Sequence, residues 1–230
     1  MSQEVFDFWP RAASGRSDFF VSASNQAAIE WIERWPAWPT PALLLHGPEG
    51  CGKTHLVQIW QERAGAGVAV AGGRLNETGV ASLVALKSPA VAIDDADHAP
   101  ERALLHLYNL CAEGGGTLLL TARRPAGPWP IGLADLGSRM RASLAVAIEA
   151  PDDTLLSAVL IKQFADRRVP VAPDLVAYLL RRIERSLAAA RATAAALDRA
   201  ALAGHRPITI ALARAVLAHP FSSGSESGVA

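Results

Sequence analysis

Cysteine is nearly absent from this chain: Cys51 and Cys111 are the only two in 230 residues. So few exclude a disulfide framework and suit a reduced compartment. An excess of either charge is lacking too, with 22 basic residues against 22 acidic ones. Dedicated nucleic-acid-binding domains usually carry a basic excess, so that class is disfavoured and only a local basic patch stays open. Apolar runs are short, meeting Lys87, Asp94 or Arg181 before they could span a bilayer. The first residues lack the basic-then-apolar order of a signal peptide. No internal repeat is present. These absences predict a soluble cytoplasmic protein with no membrane association. What the chain does have is apolar content, 50% of its residues, enough for a substantial core.

Short apolar runs bounded by glycine, proline and charge read as buried strands: Ala42 to His46, Val68 to Ala71, Ala90 to Ile93, Thr117 to Thr121 and Ser143 to Ile148. Helical patterns lie between them, over Asn25 to Trp35, Thr54 to Arg63 and Ala99 to Glu113. Strands alternating with helices predict an α/β fold, a parallel sheet covered by helices on both faces. After Asp152 the strand signals stop. Asp152 to Arg168, Asp174 to about Ala203, and Thr209 to His219 read as helices, so a small all-α domain should follow. The expected organisation is a flexible segment over 1–16, a nucleotide-binding domain over 17–151, a helical lid over 152–219 and a disordered polar tail over 220–230.

The chemistry is announced by Gly47-Pro48-Glu49-Gly50-Cys51-Gly52-Lys53-Thr54, which fits the phosphate-binding pattern G-x-x-x-x-G-K-S/T. Glycines permit unusual backbone angles and let amide N–H groups converge on phosphate oxygens. Lys53 should reach the terminal phosphates of ADP or ATP, and the Thr54 hydroxyl should hold Mg²⁺. The helix start adds favourable partial charge for an anion. The second half of such a site is an acidic residue ending a buried strand. Asp94 is expected to hold the metal and Asp95 to polarise an attacking water. Asp97 and His98 read as surface residues.

Further motifs follow in order: Gly52-Lys53-Thr54-His55-Leu56, Ile93-Asp94-Asp95, His106-x-x-Asn109, Leu120-Thr121-x-x-Arg124-Pro125, Leu136-x-Ser138-Arg139-Met140 and Pro151-Asp152. In order and spacing they resemble the bacterial replication initiator DnaA, a branch of the AAA+ ATPases. The resemblance covers roughly residues 18 to 219 and does not include the initiator's DNA-reading helix-turn-helix domain. This plan is similar to the Hda regulators, which inactivate the initiator after replication starts. The Phe19-Phe20-Val21-Ser22-x-x-Asn25 stretch and the Trp-rich segment after it resemble the Hda-type proteins of alphaproteobacteria.

That resemblance implies several roles. Phe20 and Val21 would lie near the adenine, and His55 joins the nucleotide-binding set. Arg139 falls on the arginine-finger position and would act in trans on the nucleotide of a neighbouring initiator. Gln3, Phe6 and Phe8 resemble the peptide that docks on the replicative sliding clamp, and two aromatic anchors on a flexible end suit a hydrophobic pocket. The partners implied are the initiator and the clamp, without direct sequence-specific DNA binding; shared AAA+ sites are compatible with self-association. Two positions depart from the pattern. Arg123 stands where the initiator has an acidic sensor-1 residue. The sensor-2 position falls on Ala188, with Arg185 and Arg191 one turn to either side. Weak intrinsic hydrolysis is expected, in keeping with a family whose members act in the ADP-bound form. A helicase-loader-type adaptor and a generic ATPase stay open as alternatives.

Overall fold

The computed structural model describes residues 19–65, 67–84 and 90–218. Gln3, Phe6 and Phe8, with the expected flexible ends, lie outside the described residues. The chain divides into two compact units, Met1–Asp152 and Asp153–Ala230.

The first unit is built on five parallel strands: β1 (Ala42–His46), β2 (Val68–Ala71), β3 (Ala90–Asp94), β4 (Thr117–Ala122) and β5 (Leu144–Ala147), in the order β2-β3-β4-β1-β5. Parallel strands need crossovers, and helices supply them: α2 (Lys53–Ala64), α3 (Glu77–Val84), α4 (Glu101–Gly114) and α5 (Ala134–Ala142). Helix α1 (Gln26–Glu33) precedes the sheet. Side chains alternate between the faces of a strand, so β1 sends Leu44 to one face and Leu43 and Leu45 to the other, all fully buried. The Leu44 face packs with Leu104 and Leu107 of α4 and Leu136 and Met140 of α5. The Leu43 face packs with Ile29 and Ile32 of α1 and Leu56 and Trp60 of α2. A sheet buried on both faces explains why β1 and β4 are continuously apolar rather than alternating.

The second unit holds α6 (Asp153–Asp166), α7 (Pro173–Leu180), α8 (Leu187–Ala203) and α9 (Ile210–Ala218). Its buried side chains include Leu156, Leu160, Phe164, Leu179, Leu197 and Leu212. Among the described residues it has no strand. One expectation is corrected here. The pattern from Asp174 to Ala203 read as a single helix, but it is two, α7 and α8, separated by 181–186. Ser186 starts α8: its hydroxyl accepts from the Ala189 N–H at 3.0 Å, an N-cap bond. Arg185 therefore lies in the turn before the helix that carries Arg191, not one helical turn from position 188.

Candidate nucleotide site

The candidate site forms where the C-terminal ends of β1, β3 and β4 meet the start of α2. Its first requirement is room for the backbone. Gly47 donates its N–H to the Ala122 carbonyl at 3.1 Å, and a Cβ there would stand 2.1 Å from the Ile148 carbonyl oxygen. Any side chain at 47 would thus push apart the ends of neighbouring strands. Gly50 and Gly52 have φ of +73° and +106°, where L-residues are strained. Gly52 is the N-cap of α2 and offers no side-chain acceptor, so the first-turn N–H groups stay available for an anion.

Lys53 opens α2 with only 8% of its surface exposed. A buried ammonium needs acceptors. The Gly47 and Pro48 carbonyls accept from it at 2.7 and 2.8 Å, and its third contact is only the weak thiol acceptor of Cys51, which a phosphate oxygen would displace. Cys51 sits buried beneath, its Sγ 3.9 Å from the ammonium. Burial raises the Cys51 thiol above its ordinary value, and the nearby Lys53 charge only partly offsets this. The same ammonium lies close enough to act on His46, at the end of β1. Burial first and Lys53 second hold that imidazole below the usual histidine range.

The acidic half of the site is braced by β4. Asp94, 4% exposed, takes the Thr54 hydroxyl on Oδ2 at 2.8 Å and the Thr121 hydroxyl on Oδ1 in a short hydrogen bond. Thr121 also accepts from the Asp95 N–H at 2.9 Å. One fully buried hydroxyl thus ties both aspartates to the neighbouring strand. In the sequence Thr121 falls within a motif, and its hydroxyl after three leucines of a buried strand is the only local sign of this task. Asp95 turns the chain with φ +54° and ψ +53°. Gly72 makes that turn fit, because a Cβ at 72 would stand 2.2 Å from the Asp95 carbonyl oxygen. Desolvation, then the like charges of Asp94 and Asp97, raise the Asp95 carboxyl above its ordinary value, with Lys53 and His98 opposing. A raised value is the right direction for a group that draws on the proton of a water.

Other expected positions fall at different distances from this centre. Glu49 and Arg123 pair at 2.9 Å across the loop, with both side chains mostly exposed. Such a pair adds about 0–1 kcal/mol. Val21 is 48% exposed, and Phe20 is half-buried with its carbonyl accepting from Asn25 Nδ2 at 2.9 Å. The aromatic that packs on buried His55 is instead Phe19, edge-on with ring centroids 5.4 Å apart. Asp97 is no surface residue: its side chain is 17% exposed, whereas that of His98 is 62% exposed. Arg139, in the last turn of α5, stands with its guanidinium 5.4 Å from the centre of the Tyr108 ring. Its Nε is buried and has no acceptor among the described residues. In the second unit Arg185 pairs with Asp153 at 2.7 Å.

Glycine turns that open the backbone, an ammonium with one weakly held donor and a threonine–aspartate pair are the donor set for a magnesium–nucleotide phosphate. These residues fit such a ligand. Gly50, Gly52 and Lys53 would hold the phosphates, and Thr54 with Asp94 would hold the metal.

Comparison with known proteins agrees with this layout. Residues 153–217 match the family model described as Hda, lid domain. Domain III of the Thermotoga maritima replication initiation protein DnaA superposes with a TM-score of 0.74 at 17% identity, covering 88% of this chain and 94% of that one. AMPPCP-bound DnaA from Aquifex aeolicus gives 0.65 at 16% identity, covering 77% of this chain and 62% of that one. The Thermotoga maritima RuvB Holliday junction branch migration motor gives 0.72 at 15% identity, covering 89% and 71%. At such identities the likeness is one of fold, and the fold is AAA+. To that fold, the match over residues 153–217 adds a likeness to the Hda lid domain in the second unit.

Proposed function

We propose that this chain binds ADP or ATP with Mg²⁺, engages the sliding clamp, and stimulates ATP hydrolysis by a DnaA-type replication initiator, so limiting re-initiation. The observation that carries the reading is Arg139. A guanidinium whose Nε is buried without an acceptor is costly to keep unless a partner arrives. Phosphoryl oxygens are such a partner, and the Hda lid on the same chain points to the initiator as their source. An arginine supplied in trans stabilises charge on a transferring phosphoryl group, by about 10³–10⁵ in rate in other systems.

The chain's own nucleotide would then serve as a shape-setting ligand. Lys53 and the loop amides would hold its phosphates, Thr54 and Asp94 would hold the metal, and Asp95 would stand beside them as the base. Bound Mg²⁺ would neutralise phosphate charge. Arg123 in place of a sensor-1 acid, and Arg185 already paired with Asp153, favour weak hydrolysis by this chain itself. Gln3, Phe6 and Phe8 would anchor the clamp, and the protein would work in the cytoplasm.

The test is to mix the protein with ATP-loaded initiator and clamp on DNA and follow ADP formation. Stimulation should appear, depend on the clamp, and vanish with Arg139→Ala. Replacing Phe6 and Phe8 by alanine should abolish clamp pull-down. Hydrolysis indifferent to this protein, or stimulation indifferent to Arg139→Ala, would sink the reading.

A further inference from the structure

Among the described residues no carboxylate pairs with the Arg139 guanidinium, and what it lies against is an aromatic face. Tyr108 lies on the buried side of α4, 6% exposed, within the cluster that also contains Leu136 and Met140 of α5. The guanidinium carbon of Arg139 is 5.4 Å from its ring centroid, inside the ~6 Å range of a cation–π contact. The backbone below is fixed independently, since the Ser143 hydroxyl donates to the Arg139 carbonyl at 2.9 Å. A flexible arginine is thereby restrained at both ends.

The kind of restraint matters. A carboxylate partner would occupy the N–H fork and neutralise the charge. A ring attracts the charge through its quadrupole and leaves the N–H hydrogens free. The unpartnered Nε is in accord with that. We propose that Tyr108 is a positioning residue for Arg139: its ring face pre-orients the guanidinium, with its hydrogen-bond donors uncommitted, for the phosphoryl group of a neighbouring subunit. This rests on the trans-acting role proposed above for Arg139. Within the docked complex, less of the activation barrier is then spent on ordering the side chain against the transferring phosphoryl group.

The experiment measures stimulated ADP formation with phenylalanine at 108, then with mono-, di- and trifluorinated phenylalanine incorporated at the same position. Fluorination withdraws charge from the ring face while the packing volume changes little, so folding is preserved; melting temperature and ADP affinity are measured as controls. Tyr108→Phe should stay within about twofold of the parent. Maximal stimulation should then fall stepwise with fluorination, to about three- to tenfold below Tyr108→Phe. The initiator concentration giving half-maximal stimulation should hold steady, and the trend should be absent in an Arg139→Ala background. A flat response to fluorination, or a Tyr108→Phe loss as deep as that of the most fluorinated ring, would overturn the positioning role. If Arg139→Ala itself leaves stimulation intact, it is the trans-acting reading that fails; a flat fluorination series with a dead Arg139→Ala leaves that reading standing and removes Tyr108 alone.

Discussion

Lys53 shows how much one side chain is asked to do. It is almost completely buried, it is satisfied by two carbonyls of its own loop, and its charge bears on Cys51, His46 and Asp95 at once. Replacing it with alanine removes a charge-assisted contact to phosphate, which corresponds to about 1.5–3 kcal/mol. Lys53→Ala should therefore weaken ADP binding by about 10- to 100-fold in calorimetry, and an unchanged affinity would contradict the assigned phosphate geometry. Cys51 illustrates the opposite case. Its place in the phosphate loop suggests reactivity, but burial raises its thiol and keeps it closed in.

Between elements, the informative contact is Glu101. It stands in the first turn of α4, yet its carboxylate accepts from the N–H groups of Gly132 and Leu133, at 2.9 and 2.7 Å, where α5 begins. Helix α5 has no capping side chain of its own, because its N-cap position is Leu133. Glu101 thus caps a helix more than thirty residues away and keeps in place the element that carries Arg139. Those two hydrogen bonds hold the Glu101 carboxyl below its ordinary value of 4.5. A depressed carboxylate stabilises the fold above the unfolded value, and that contribution is lost as pH falls through the folded one. The melting-temperature gap between the parent and Glu101→Ala should hence be full at pH 7 and close as pH drops below about 4.5. A gap that persists unchanged into acid would show that the carboxylate charge is not what caps α5.

On the scale of the whole chain, each unit has its own core. All six tryptophans lie at or before Trp129, so their fluorescence reports only the unit ending at Asp152. Phe164 is fully buried in the other unit. Phe164→Ala should cost that unit about 3–5 kcal/mol. In urea, helical circular dichroism should then lose part of its signal at lower denaturant while the tryptophan transition stays put. Coincident shifts in both signals would mean that the two units unfold as one.

Much of the fold was legible because it rests on local pattern. Ala42 to His46 and Thr117 to Thr121 are apolar runs too short for helices and bounded by proline and glycine, and they became β1 and β4 in a parallel sheet. The phosphate loop was legible for the same reason: its glycines, lysine and threonine are contiguous, and their roles follow from spacing. Helices α3 and α5 were not seen. The first is short and carries Gly79 near its start, with Asn76 accepting from the Gly79 N–H as the one local signal. The second is capped from α4, which no window of neighbouring residues can reveal. The break before α8 hinged on the single hydroxyl of Ser186. By itself, the sequence determined the α/β class, the phosphate-loop motif and the all-α character of the C-terminal part, since periodicity and turn residues act over a few positions. Tertiary structure alone decided that Thr121 braces Asp94 and Asp95, that Gly72 admits the Asp95 turn, and that Arg139 rests on Tyr108. Each of these joins residues more than twenty positions apart, and only the packing of strand against strand and helix against helix brings them within bonding distance.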